Sequence, residues 1–180
     1  MLDCPISGTP LMVPPRKTVF LGSGDKDAFE KCLPVFEGIT SNNFYLGPFG
    51  AGSKMKCVAN LLVAVHALAA AEAMVLATRA GLDPEMVIKV INPSIAGSTM
   101  FAARAPLMVA RRYEPLGSID GIQECITIIN QLSSEIGCPT PLLNTAEQHY
   151  KEAAAQGRGE QDIAAMFSYL GQKAGLEHGC

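Results

Sequence analysis

The chain has 180 residues, enough for one sizeable core or for one domain and part of another, but not for two full domains of ordinary size. With 48% hydrophobic and 17% charged residues, it lies outside the composition of disordered chains. The net charge is -3 and the 14 Lys and Arg are scattered, so no basic stripe points to nucleic acid as a partner.

Up to about residue 50 the pattern predicts three short strands, over Leu2 to Ile6, Thr18 to Leu21 and Phe44 to Leu46. Each is β-branched or aromatic and bounded by turn residues. Between the last two, Asp25 is placed to cap a helix whose apolar stripe is Phe29, Cys32, Leu33 and Phe36. Pro34 should kink that helix and Gly38 end it. From Ser53 to about Ala80 there is neither Pro nor Gly, which predicts one helix of about 28 residues closed by Gly81. The remainder reads as helix after helix. Asp83 and Thr140 are each followed by Pro, the signature of a cap and first helical position, and Gly97, Gly137 and Gly157 punctuate.

The segment GPFGAGSK at 47–54 lies between a strand and the long helix and nearly spells a phosphate-binding P-loop. Its Ser53 precedes Lys54, so the ammonium and the metal-binding hydroxyl are displaced and a nucleotide triphosphatase is not indicated. Gly50 and Gly52 permit a tight turn into the helix, whose free N–H groups would suit an acidic substrate or a cofactor phosphate. Lys56 and Asn60 follow on one helix face, continued by Val63, Ala64, Ala67 and Ala71. This pattern fits a solvated helix start. The functional reading beside it has Lys56 partly desolvated with a lowered pKa, exchanging a proton with a substrate hydroxyl that Asn60 holds.

His66 and Glu72 interrupt the apolar helix without metal-ligand spacing, so they read as packed, hydrogen-bonded polar residues, and no metal is expected. They also shorten the uncharged run below membrane-spanning length, so no membrane partner is expected. Cys57 reads as core filler, and His149 and His178 lack a nucleophile motif that would make a hydrolase. Cys4, Cys32, Cys57, Cys125, Cys138 and Cys180 contain no CxxC pair, and no signal peptide is evident. Reduced thiols in the cytoplasm or the mitochondrial matrix are therefore expected.

Several segments together resemble the β-hydroxyacid dehydrogenase family, which includes 3-hydroxyisobutyrate dehydrogenase and tartronate semialdehyde reductase. DCPISGT at 3–9 resembles its substrate-binding D-x-P-V-S-G-G segment, and GAGSKMKCVAN at 50–60 matches its G-x-G-x-x-x-K-x-x-x-N segment. AGLDP at 80–84, GCPTP at 137–141 and GRGEQD at 157–162 resemble its later helix junctions. The resemblance implies hydride transfer between NAD or NADP and a small 3-hydroxy acid. It implies Lys56 as catalytic acid/base, Asn60 orienting the substrate, and Ser7, Gly8 and Thr9 holding the substrate carboxylate. It also implies a homodimer through the helical part. Thr9 stands where the family has a second glycine, and Glu124 where it has a lysine facing cofactor and substrate.

The expected fold is mainly α: a remnant of a Rossmann-type sheet with three strands and one helix over 1–50, then an all-α substrate and dimerisation domain over 51–180. The G-x-G-x-x-G cofactor loop is not found, which implies the C-terminal portion of the oxidoreductase. The alternative is a non-catalytic helical oligomerisation or binding module that has lost the cofactor half. A fragment with no independent role is a third reading.

Overall fold

A computed structural model of the chain describes residues 1–176; His178 and Cys180 lie outside them. Two compact units form, Met1–Asn60 and Leu61–Cys180.

The first unit is built around β3, Val19–Gly24, with Phe20 and Leu21 buried. β1, Leu2–Asp3, and β2, Ile6–Ser7, both run antiparallel to β3, pairing Asp3 with Ser23 and Ser7 with Val19. On its other edge β4, Asn42–Tyr45, runs parallel to it. The sheet therefore has four strands rather than the three expected, because the first run breaks at Cys4 and Pro5. Pro5 has no N–H to give to a ladder, although its carbonyl still accepts from the Leu21 N–H at 3.0 Å. The helix α1, Lys26–Ile39, crosses between β3 and β4, its start capped by Asp25, which accepts from the Ala28 N–H at 2.8 Å. Phe29 of α1 lies so close over Gly22 that a Cβ there would fall 2.2 Å from its ring. Gly38 lies within the last turn of α1; the extended backbone of Thr40 ends it.

The helix α2, Ala51–Arg79, is a single run of 29 residues, ended by Gly81 at φ +77°. Ala64, Ala67, Ala71 and Met74 share one arc of it and are fully buried. His66 and Glu72 fall outside that arc and are exposed, so they are not the packed polar residues expected. By length and composition alone α2 could cross a membrane, against the expectation from its charges, but 44% of its most apolar window is buried within the protein.

The helices α3, Pro84–Ile91, α4, Thr99–Ala110, α5, Ile119–Ile136, α6, Pro141–Ala153, and α7, Met166–Lys173, complete the second unit. Asp83 caps α3 through the Glu85 N–H, and Gly137 ends α5 in a left-handed conformation. Thr140 precedes Pro141 as expected but makes no side-chain cap. Tyr150 of α6 is fully buried and donates to the Ala64 carbonyl of α2 at 2.9 Å. Burial pushes its phenol well above the ordinary value.

A buried ion pair ties α4 to the turn before α7: Arg104 Nε lies 3.0 Å from Asp162 Oδ1, with the two side chains 6% and 0% exposed. Asp162 also accepts from the N–H groups of Leu116, Gly117 and Ala164. Nearer the surface, the Tyr169 hydroxyl of α7 donates to Glu152 of α6 and meets His149 Nδ1 at 3.1 Å. Lys173 completes that group on both Glu152 and Tyr169.

Candidate active site

The glycine-rich turn before α2 is shaped by two different demands on glycine. Gly50 has φ +90°, a region that side-chain-bearing residues rarely enter. Gly52 is required by proximity instead: a Cβ on it would lie 2.2 Å from the Leu21 carbonyl oxygen and 3.0 Å from that of Asp3. The first turn of α2 is thereby pressed onto β3 and β1.

The free N–H groups that the sequence suggested for an anion at that turn are instead occupied by the protein itself. Asp3 Oδ2 accepts from the Ser53 N–H at 2.9 Å and from the Ser23 hydroxyl at 3.0 Å, while Oδ1 accepts from the Ser53 hydroxyl at 2.8 Å. The Gly52 N–H donates to Ser23 Oγ at 3.0 Å, and the Ala51 N–H to the Pro48 carbonyl. A carboxylate at a helix N-terminus is favoured by the aligned peptide dipoles. Desolvation pushes the Asp3 carboxyl up, but the hydrogen bonds from Ser53, Ser23 and the Gly50 N–H outweigh it and hold the group below its ordinary value.

One turn along α2, the half-buried Lys56 extends its ammonium to the Ile6 carbonyl at 2.7 Å. Helical side chains lean toward the N-terminus, so the Lys56 stem points back to the segment that Asp3 anchors. Ser7 follows Ile6 in β2 and is half-buried. Gly8 has φ +142°, and a Cβ on it would meet the Thr18 methyl at 2.9 Å. Thr9 precedes a short turn, Pro10–Met12, without capping it through its side chain. The structure thus sets Lys56 beside the strand that leads into Ser7, Gly8 and Thr9. Asn60 is half-buried one turn further along α2. Glu124 is exposed on α5 in the second unit, and Cys57, expected as core, is half-buried.

Asp3, Ser23 and Ser53 are the residues that sequence reasoning missed. Asp3 stood inside a quoted segment, but nothing in a linear pattern pairs it with a serine fifty positions away.

Residues 50–170 match the family model described as NAD-binding of NADP-dependent 3-hydroxyisobutyrate dehydrogenase, and the chain belongs to that family. L-threonate dehydrogenase of Cupriavidus necator is 34% identical over 93% of this chain and 57% of its own length. A crystal structure of 3-hydroxyisobutyrate dehydrogenase from Salmonella typhimurium superposes with a TM-score of 0.88 at 31% identity, covering 93% of this chain and 59% of that one. The Mycobacterium tuberculosis 3-hydroxyisobutyrate dehydrogenase shares the fold, with a TM-score of 0.83 at 24% identity over 94% of this chain and 60% of that one. The chain spans about half the length of the curated relatives it matches.

NAD(P) is the cofactor of this family. The described residues contain no G-x-G-x-x-G loop, and the Gly52 and Ser53 N–H groups at the glycine-rich start of α2 are taken by Ser23 and Asp3.

Proposed function

We propose that this chain is the C-terminal, substrate-handling portion of an NAD(P)-dependent oxidoreductase acting on a small 3-hydroxy acid, with Lys56 as its acid/base. The observation that carries this reading is the 2.7 Å contact between Lys56 Nζ and the carbonyl of Ile6, the residue that precedes Ser7, Gly8 and Thr9. The nicotinamide of the complete enzyme supplies the hydride acceptor or donor. Lys56, as the neutral amine, takes the proton of the substrate hydroxyl during oxidation and, as the ammonium, returns one during reduction. Asn60 steadies the reacting oxygen. The Ser7 and Thr9 hydroxyls, with backbone N–H groups at Gly8 and Thr9, hold the substrate carboxylate.

A homodimer through the helical unit belongs to the same proposal. Exposed Leu82, Met86 and Val90 lie four residues apart along and just before α3, a stripe of the kind that neighbouring chains cover. A cytoplasmic location fits the free thiols of Cys4, Cys32, Cys125 and Cys138. No nucleic acid or membrane is needed.

The test is steady-state turnover of the protein in its natural length with small 3-hydroxy acids and either dinucleotide. Reduction of NAD+ or NADP+ by at least one of them is expected. Absence of turnover in both directions, with a dimer still present, would favour the non-catalytic helical module.

A further inference from the structure

Two contacts join the same pair of segments at the same spacing. Asp3 grips Ser53, and three residues further along each segment Ile6 receives Lys56. We propose that Asp3 is a positioning residue for Lys56, its carboxylate locking the β1–β2 segment onto the start of α2 so that the Ile6 carbonyl meets the lysine amine. The functional meaning of this lock rests on the acid/base reading of Lys56, but the lock itself can be tested without turnover.

The carboxylate suits the task because its two oxygens accept from a rigid set of donors. The Ser53 N–H is fixed by the helix, and Ser23 is fully buried in β3, paired in register with Asp3 itself. Gly52 lets these groups converge, since any side chain there would strike Asp3 and Leu21. The lock therefore spans β1, β3 and α2, and a shift of β1 along α2 would carry Ile6 away from Lys56. An alanine at position 3 removes every one of these acceptors. An asparagine keeps the shape but loses one acceptor oxygen and the charge that faces the helix dipole.

The experiment is competitive acylation of lysine amines with trace acetic anhydride, read peptide by peptide by mass spectrometry, with exposed Lys89 of α3 as internal reference. Asp3→Ala should raise the rate of Lys56 relative to Lys89 by about fivefold, the factor that one ordinary hydrogen bond is worth; Asp3→Asn should raise it less. A merely structural cap would lower the melting temperature and leave that ratio alone, and an unchanged ratio in a folded Asp3→Ala chain overturns the proposal. If Asp3→Ala fails to fold, Ser53→Ala removes one arm of the lock and must raise the ratio, whereas Ser53→Thr, which keeps the hydroxyl, must not. A rise in both serine variants, or in neither, also overturns it. Loss of the acid/base reading would show differently: the lysine ratio would respond to Asp3 while Lys56→Ala left turnover intact.

Discussion

Gly52 and Asp3 show how much of this site is decided by single atoms. A methyl group at position 52 would sit 2.2 Å from the Leu21 carbonyl, and neither β3 nor the helix can yield without losing hydrogen bonds. Gly52→Ala should therefore cost about 3 kcal/mol, measurable by urea denaturation. A cost within error of zero would mean that the helix start is not pressed onto the sheet. Asp3 carries a pH signature. Its carboxyl is held below the ordinary value, so its contribution to stability is present above the ordinary carboxylate range and fades as pH falls through the lowered value. The amide resonances of Gly52 and Ser53 should report this titration, with a midpoint below about 3.9; a midpoint above it would place the carboxylate outside the lock.

Among the elements, the entry to α7 depends on a charge that the local sequence does not balance. Asp162 is 0% exposed and its cationic partner Arg104 stands on α4. Removing the carboxylate would leave a buried guanidinium and three backbone N–H groups without their acceptor. Asp162→Ala is expected to cost about 3 to 5 kcal/mol, checked by denaturation, and the loss should exceed that of Arg104→Met, which leaves no buried cation. Caps were legible in the sequence where both partners are near neighbours. Asp25, Asp83 and Gly137 close their helices as their positions suggested. Thr140 shows the limit of that reasoning, since the residue type is right but its side chain makes no cap.

At the scale of the whole molecule, local signals and long-range ones part company. The helical content, the single long α2 and the Lys56 and Asn60 spacing could all be read from periodicity, glycines and motif spacing. The break of the first strand at Pro5 was overlooked, although proline itself signals it. The pairing of β1 with β3 and the occupation of the α2 start by Asp3 were not readable at all, because each joins residues about twenty or fifty positions apart. The same blindness placed an external anion where the protein uses its own carboxylate. Family membership, by contrast, rests on the resemblance of short segments such as DCPISGT and GAGSKMKCVAN to the family's motifs, and the match over residues 50–170 shows it.

Catalysis by Lys56 is the central claim, and kcat/KM for Lys56→Ala in the natural-length protein, with NAD(P)+ and its best 3-hydroxy acid, tests it most directly. General acid/base catalysis is commonly worth about 10² to 10⁴ in rate, so a fall of that size, carried by kcat more than by KM, is expected. Turnover within a few-fold of the parent would contradict the account.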